Sequence, residues 1–270
     1  MNRRSFLKQA ALASAAGISA SVLGCKTTGR SQQAELYKIS VAEWSFHRTI
    51  RNERAMTNLD FPKVARRQFD IGAVEYVNQF FMDKARDENY LRELSRVCEG
   101  EGVKSLIIMC DGEGNLGDPD AGRQKTAVAN HHKWADAAKF LGCHSIRVNA
   151  ATGNVGTFEE QQKRASDGLA SLATYCKKTG LNCIVENHGG LSSNGKWLSG
   201  VMERVGMSNC GTLPDFGNFR IDQGESYDRY QGVAELMPYA KAVSAKSHDF
   251  DDAGNETHTD YRRMMQIVLD

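Results

Sequence analysis

One segment of the sequence indicates the fold most directly, namely Ile184-Val185-Glu186-Asn187-His188-Gly189-Gly190. An apolar run leads straight into a carboxylate, an amide and an imidazole, and two glycines then allow the chain to turn. This order predicts a short buried strand with a polar cluster at its carboxyl end. Functional side chains gather at the carboxyl ends of strands in parallel α/β folds, so the segment also predicts part of a functional site.

Four further segments repeat this plan of a strand-like run with a polar group at or near its end: residues 73–76, 145–149, 211–217 and 242–249. Strands are predicted at residues 36–44, 73–77, 105–110, 145–149, 182–186, 211–213 and 241–246. Helices are predicted after them at residues 60–69, 87–99, 123–141, 157–179, 196–205, 227–237 and 260–270. Such alternation predicts parallel strands joined by crossover helices. The seven units predict an α/β fold, a (β/α)8 TIM barrel that is truncated after its seventh βα unit.

Composition limits the classes of function. The chain has 270 residues, which fits one large barrel domain, and 41% hydrophobic with 25% charged residues is ordinary for a globular protein. The formal net charge of +1 gives no electrostatic basis for binding nucleic acid or an acidic membrane. No pair among the cysteines after Cys25 has CxxC spacing, and most of them sit among apolar residues. This predicts buried thiols rather than disulfides or a thiolate metal site.

The first 25 residues have the features of an export signal. Arg3-Arg4 and its neighbours look like a twin-arginine motif, and an alanine-rich stretch, too short for a membrane span, leads to Cys25. The site at Cys25 resembles a lipoprotein cleavage site, which predicts export to the periplasm and a lipid anchor on this cysteine. The alternative is an ordinary cleavage site beside an unmodified thiol. The predicted organisation is therefore a signal (1–25), a tether (26–35) and a barrel domain (36–270).

Five motifs in the predicted strands and at their ends carry a resemblance to a known family. They are Glu43-Trp44-Ser45-Phe46-His47, Val74-Glu75-Tyr76-Val77, Val185-Glu186-Asn187-His188-Gly189-Gly190, Pro214-Asp215-Phe216-Gly217-Asn218 and Ala245-Lys246-Ser247-His248-Asp249. Together they resemble the xylose-isomerase-like TIM-barrel superfamily, in its sugar phosphate isomerase/epimerase branch. The resemblance covers about residues 36–270, and the motifs of strands five and six together are its most specific part. It implies one divalent metal ion at the top of the barrel, held by Glu, Asp, His and a final Glu from strands five to eight.

The resemblance implies metal ligands residue by residue. Glu186 matches the ligand of strand five, and Asp215 matches that of strand six. Relatives usually read His-x-Lys-Asp at strand seven, where this chain reads Ser244-Ala245-Lys246-Ser247, so His248 is a displaced candidate for the histidine. Asn218 stands where several relatives have a histidine, and a glutamate of strand eight would lie beyond the last residue. The implied cofactor is one divalent ion, Mn²⁺, Mg²⁺ or Co²⁺ for oxygen ligands, or Zn²⁺ if a histidine takes part.

The chemistry of sugar isomerisation and epimerisation points to the same carboxylates. Both reactions remove a proton from a carbon next to a carbonyl, and a divalent ion stabilises the resulting enediolate. Glu186 can act as ligand and base together, and Lys246 is the second predicted catalytic residue. The alternative is structural, with Glu186 and Asp215 in buried ion pairs. Substrate contacts are predicted at Trp44, His47, Glu75, Arg147 and His188, where pairing of Glu75 with Arg147 and a structural His188 are the alternatives.

These observations predict an exported, metal-dependent sugar isomerase or epimerase that works by proton abstraction next to a carbonyl. Two alternatives stay open: a keto-sugar lyase that uses the same site, and a non-catalytic carbohydrate-binding lipoprotein. An endonuclease of the same fold is rejected, because it needs more histidine ligands and the chain has no basic excess. The predicted partner is a small carbohydrate, with no nucleic acid and with membrane contact only through the N-terminal lipid. A homo-oligomer is left open.

Overall fold

A sheet of six parallel strands organises the computed structural model, which describes residues 36–270. The strands are β1 (Val41–Ala42), β2 (Ala73–Val77), β3 (Lys104–Met109), β4 (Ser145–Val148), β5 (Asn182–Glu186) and β6 (Cys210–Leu213). Each strand pairs with the next one along the chain, so the spatial order equals the sequence order. This confirms the predicted α/β fold of TIM-barrel type. The predicted signal, the tether and the lipid site at Cys25 lie outside the described residues.

Helices alternate with these strands and cover the outside of the sheet. They are α1 (His47–Arg51), α2 (Phe61–Phe69), α3 (Glu88–Glu101), α4 (Ala121–Phe140), α5 (Phe158–Thr179), α6 (Gly195–Val205), α7 (Arg229–Leu236) and α8 (Tyr261–Leu269). Short 3-10 turns stand at Glu43–Phe46, Asn78–Phe80, Met82–Lys84, Gly190–Ser193 and Met237–Tyr239. The turns at Glu43–Phe46, Asn78–Phe80 and Gly190–Ser193 follow strand ends closely, and they leave the polar residues there close to the mouth of the barrel.

Helix α5 shows how local sequence sets the ends of an element. The Thr157 hydroxyl accepts a hydrogen bond from the Glu160 amide at 3.2 Å, and the Glu160 carboxylate accepts one from the Thr157 amide at 2.8 Å, as the sequence predicts for a capping box. Gly180 ends the helix in a left-handed conformation with φ of 78°. The buried face of the helix carries Ala165, Leu169, Leu172, Ala173 and Cys176.

The predicted seventh strand lies beside β6 but is not a regular strand. It is joined to β6 and the loop after it by two parallel bridges, one from Thr212 to Ala240 and one from Asp215 to Ser244. Pro214 lies between these bridges and has no N–H to give to a ladder, which explains why the pairing does not continue. Strand β1 is also shorter than the sequence predicts. The short pairing still places Ser244 directly beside Asp215.

The core has two main layers and a separate cluster of Phe216, Phe219, Val233 and Met264. A small cluster inside the barrel is formed by Val77, Ile107, Met109, Ile184 and Leu213, with Trp44 and Phe80 packed against it. The larger layer lies between sheet and helices, with the fully buried Phe61, Trp134 and Trp197 among its largest side chains. Within residues 36–270, no helix combines the length and apolar character that crossing a membrane requires.

The thiols after Cys25 are all buried and free, which confirms the prediction made from their apolar neighbours. Three of them meet between helix and sheet: Cys176 on α5, Cys183 on β5 and Cys210 on β6. The neighbouring thiols, together with burial, raise the pKa of Cys183 well above its usual range. These cysteines therefore behave as small apolar side chains in the folded protein.

Candidate active site at the carboxyl ends of the strands

Glu186 is the last residue of β5, and its carboxylate lies at the mouth of the barrel. Glu186 Oε2 accepts a hydrogen bond from Arg147 Nε and forms an ion pair with Nη2 of the same side chain, which extends from the neighbouring strand β4. Glu186 Oε1 accepts one from the Asn218 amide at 2.9 Å. Both Glu186 and Arg147 are buried, so the ion pair, in which two guanidinium nitrogens meet one carboxylate oxygen, is shielded from water.

Asp215 follows β6 and is fully buried. Its Oδ1 accepts the backbone N–H groups of Gly217 at 2.8 Å and Asn218 at 3.0 Å. Its Oδ2 accepts the Ser244 hydroxyl at 2.9 Å and lies 3.2 Å from the Lys246 ammonium nitrogen. Lys246 also donates to Asn218 Oδ1 at 3.0 Å. Asn218 and Lys246 thus link the carboxylates at the ends of β5 and β6 into one network.

Arg147 extends this network toward β3. Its Nη1 donates to Asp111 Oδ1 at 2.7 Å, and the Asn149 amide donates to the same oxygen at 2.8 Å. Burial acts to raise the pKa of Asp111, but the Arg147 guanidinium and the Asn149 amide outweigh it, and the net pKa is lowered. Asp111 is therefore a permanent carboxylate that fixes the orientation of Arg147 from the side opposite Glu186.

Glu186 has the electrostatics of a proton acceptor that works near neutral pH. Burial raises its pKa, Arg147 opposes this, and the nearby Asp215 carboxylate raises it further, to about 7 in total. Partial desolvation, with the positive charges of Arg147 and Lys246, lowers the pKa of His188 below its usual value. His188 is consequently a neutral imidazole at neutral pH, placed within the field of both cations.

Two more buried carboxyl groups lie on the side of the mouth that β1 and β2 form. Glu43 accepts hydrogen bonds from the Asn58 amide and the Val77 backbone N–H, both at 2.9 Å, and burial raises its pKa to about 8. Glu75 accepts the Ser40 hydroxyl at 2.6 Å. Burial raises the pKa of Glu75, although the Ser40 hydrogen bond and the charge of Arg147 lower it in part.

Aromatic side chains close this side of the mouth. The Trp44 ring packs on Phe80 with 5.4 Å between centroids, and the Arg51 guanidinium lies 5.0 Å from the Trp44 centroid and 5.1 Å from that of Phe80. His47 is exposed, and its Nδ1 donates to the Trp44 carbonyl at 2.8 Å. Trp44 is therefore placed as a wall of the mouth, whereas His47 lies at its rim.

The structure brings several predicted residues into one network, namely Glu186, Asp215, Lys246 and Arg147, with His188 and Glu75 in the field of Arg147. His248 is not part of it. Its side chain is exposed, and its Nε2 lies against Gly217, where an added Cβ would come within 2.9 Å. Four site residues carried no predicted role: Asp111, Asn149, Asn218 and Ser244. Asn149 directly follows β4, and Asp111 lies two residues after the end of β3, so the rule that identified Glu186 could have found them.

Comparison with known proteins identifies the family. No curated protein sequence matches the chain at a significant level. The family model described as a xylose isomerase-like TIM barrel matches residues 64–270. The chain belongs to this family. The assignment confirms the resemblance carried by the motifs at the strand ends.

Solved structures share the fold of this xylose isomerase-like protein. A 3-keto-D-glucoside 4-epimerase from E. coli is 14% identical over 78% of this chain and 81% of its own, with a TM-score of 0.62. D-psicose 3-epimerase, solved in the presence of D-fructose, is 12% identical over 79% and 75%, with a TM-score of 0.60. The IOLI protein, solved with a zinc atom, is 14% identical over 86% and 84%, with a TM-score of 0.65. Sugar epimerases are thus among the structural neighbours of this family member.

The family resemblance implies a metal ion, but the residues of this xylose isomerase-like chain do not fit one well. All four carboxylate oxygens of Glu186 and Asp215 already accept hydrogen bonds or contact a cation. Within residues 36–270, no group of three or more His, Cys, Asp or Glu side chains has the arrangement of a metal site. The Glu186 and Asp215 carboxylates lie near each other, but donors and cations already contact their oxygens, and His248 is not part of the network.

Proposed function

We propose that this protein is a sugar isomerase or epimerase that removes a proton from a carbon next to the carbonyl of a small carbohydrate. The observation that carries the proposal is the position of Glu186, a buried carboxylate with a pKa of about 7 at the mouth of a parallel barrel. A base with such a pKa combines a large ionised fraction at neutral pH with useful proton affinity. Membership of the xylose isomerase-like family and its sugar-epimerase neighbours support the same reaction class.

The other residues of the network have roles that follow from their contacts. Glu186 Oε1 accepts one hydrogen bond, from Asn218, and so keeps acceptor capacity for a substrate proton. Arg147 holds the carboxylate through two nitrogens and fixes its direction. Lys246 and the neutral His188 are donors for the oxygen that becomes negative when the proton leaves. Trp44 supplies an apolar surface for one face of a sugar ring.

The proposal includes the site of action. Residues 1–25 have the features of a twin-arginine signal that ends at Cys25, so we propose an exported, lipid-anchored protein of the periplasm. Free or oxidised sugars suit this compartment better than sugar phosphates. Mass spectrometry of the mature N-terminus tests the anchor, which requires a lipidated peptide beginning at Cys25.

Isotope exchange in D₂O tests the reaction. The purified protein is incubated with a panel of ketoses, aldoses and 3-keto-glycosides, and mass spectrometry follows deuterium entering the carbon next to the carbonyl. We expect exchange with at least one sugar, together with an epimer or an aldose–ketose isomer as product. The matched control Glu186→Gln keeps the shape of the side chain and should lose the exchange.

The outcome of this experiment distinguishes the enzymatic proposal from its two alternatives. An unsaturated product that has lost water or a substituent identifies the lyase chemistry instead. Absence of exchange with every sugar, combined with saturable binding of one of them, identifies a carbohydrate-binding protein and overturns the enzymatic proposal.

A further inference from the structure

We infer that Lys246 holds the place of the divalent cation in this site, so that a lysine ammonium, held by Asp215 and Asn218, supports the reaction without metal. The inference rests on the proposed function for its catalytic part. Its structural part, the absence of a tight divalent-cation site between Glu186 and Asp215, stands independently and is tested separately.

The first step is the occupancy of the carboxylate oxygens. Glu186 Oε2 is held by two guanidinium nitrogens of Arg147, and Asp215 Oδ1 by two backbone N–H groups. An ion bound between the carboxylates would need their lone pairs at ~2.0–2.6 Å, in the directions that these donors use. Breaking a buried ion pair leaves an uncompensated charge shielded from water, which is strongly destabilising. The donors therefore compete with any ion for the same oxygens.

The second step concerns Asp215 Oδ2, which accepts the Ser244 hydroxyl and contacts the Lys246 ammonium. The ammonium lies 3.2 Å from this oxygen, so an added divalent ion would stand beside a fixed positive charge. Ser244 occupies the position where the resemblance places a histidine ligand. Its hydroxyl donates to Asp215, whereas a ligand imidazole would offer a lone pair to an ion. The segment with Ser244 and Lys246 therefore offers hydrogen-bond donors to Asp215 and no ligand for a metal ion.

The third step is the availability of Lys246 to a substrate. Its side chain is 33% exposed, so the ammonium group is reachable from the mouth of the barrel. An ammonium has three N–H donors, and among residues 36–270 its polar contacts are with Asp215 and Asn218. The remaining donor can hydrogen-bond a carbonyl oxygen of a bound sugar. The two fixed contacts hold the ammonium in place before the substrate arrives.

The reaction step balances without a further reagent. The Glu186 carboxylate takes the proton from the carbon next to the carbonyl, and the electron pair of that C–H bond forms the new C=C bond. The carbonyl π pair moves to oxygen, which becomes an enolate that accepts a hydrogen bond from the Lys246 ammonium. For the aldose–ketose isomer, Glu186 returns its proton to the former carbonyl carbon, while the hydroxyl proton of the neighbouring carbon moves to the enolate oxygen and a C=O bond forms at that neighbour. For the epimer, a solvent water delivers a proton to the opposite face of the original carbon, the C=O bond reforms, and Glu186 gives its proton back to solvent.

The experiment has a binding arm that needs no substrate. The purified full chain is stripped with EDTA and titrated with Mn²⁺, while electron paramagnetic resonance reports free and bound ion. We expect no saturable site at micromolar Mn²⁺. One tightly bound ion per chain that is lost in Asp215→Asn would overturn the inference, whatever the activity.

The activity arm measures deuterium exchange of the stripped protein with and without Mn²⁺, Mg²⁺, Co²⁺ or Zn²⁺. We expect similar rates in all cases, a loss of ~10²–10³-fold in Lys246→Met, and partial retention in Lys246→Arg. The matched control Lys241→Met changes an exposed lysine of the same segment and should leave the rate unchanged. A rate that rises by orders of magnitude with metal contradicts the inference. If no sugar exchanges at all, the proposed function fails and the Mn²⁺ titration still decides the cation site.

Discussion

The mouth of the barrel stabilises buried carboxyl groups in two different ways. At the corner of β4–β6, Glu186 and Asp215 face the cations Arg147 and Lys246. At the corner of β1–β2, Glu43 accepts hydrogen bonds only from neutral donors among the described residues. We call these the cation corner and the neutral corner.

The two kinds of partner act differently on the pKa of the carboxyl group. Neutral donors do not offset the loss of hydration of a buried carboxylate, so Glu43 holds its proton up to a pH of about 8. The cations at the other corner limit the rise that burial causes, so the pKa of Glu186 is about 7 despite similar burial. Under the proposed function, Glu186 with its two neighbouring cations exchanges the proton, whereas Glu43 is a buried hydrogen-bonding group.

The largest expected effect comes from the same substitution made in each corner. Glu186→Gln removes the base and should slow deuterium exchange by ~10²–10⁴-fold. Glu43→Gln should leave the exchange rate unchanged, because Glu43 touches no group of the cation corner. Rates are measured on the sugar that exchanges fastest with the wild type. Equal losses in the two variants would show that the corners do not differ in function.

The second prediction tests charge compensation through stability. Arg147→Met leaves Glu186 and Asp111 buried without their shared cation, and should lower the free energy of unfolding by ~3–5 kcal/mol. Arg147→Lys keeps the charge but loses the guanidinium that contacts Glu186 and Asp111 at once, and should cost less. Urea denaturation followed by circular dichroism measures both. A variant Arg147→Met as stable as the wild type would mean that the ion pairs contribute nothing to folding.

Sequence reasoning predicted the elements well, and the side chains of the cation corner in part. Glu186 and Asp215 were identifiable because an apolar run leads directly into each of them. Their partners Asn218 and Ser244 were not, because the contacts depend on how the chain turns after β6 and on the bridge beside Pro214. The structural alternative of a buried ion pair for Glu186 describes its contact with Arg147 correctly.

His248 shows that the position of a residue in a motif does not fix where its side chain points. The sequence suggested it as a shifted replacement for a ligand histidine, two residues after Lys246. The chain directs Lys246 toward Asp215, while the imidazole of His248 stays exposed against Gly217. Composition and periodicity do not predict where these two side chains point, because the segment has no regular strand geometry to fix their alternation.

The third prediction concerns pH and the neutral corner. The pKa of Glu43 rises from an ordinary 4.5 to about 8 on folding, so the folded state keeps a proton that the unfolded state has lost. This contribution to stability is fully present below pH 4.5 and is lost as the pH rises through about 8. Within that window its slope is at most ~1.4 kcal/mol per pH unit.

The variant Glu43→Gln isolates this contribution, because it removes the titration and leaves every other group in place. Urea midpoints are measured for both proteins between pH 5 and 9, a range of roughly four units chosen to span the shift. We expect the wild type to lose stability with rising pH more steeply than the variant. Parallel curves would show that Glu43 is ionised in the folded protein.

The smallest expected effect is at Glu75, which stands between the corners. Ser40→Ala removes the hydroxyl that donates to Glu75 at 2.6 Å and should cost ~1 kcal/mol. The charge of Arg147 still reaches Glu75, so the loss should stay well below that of Arg147→Met. Thermal unfolding of Ser40→Ala beside Ser40→Thr, which keeps a hydroxyl, measures the difference. A loss as large as that of Arg147→Met would place Glu75 in the neutral corner.

The three thiols that meet between α5 and the sheet are protected in the folded protein and become reactive once heating unfolds it. In the folded state the raised pKa of Cys183 suppresses the thiolate that oxidation and disulfide exchange require. Unfolding releases Cys176, Cys183 and Cys210 together, with ordinary acidity and with short chain segments between them. Where oxidation of the opened chain outpaces its refolding, disulfides between these thiols trap the unfolded state. The lifetime of the protein under such conditions is set by the rate at which this packed region first opens.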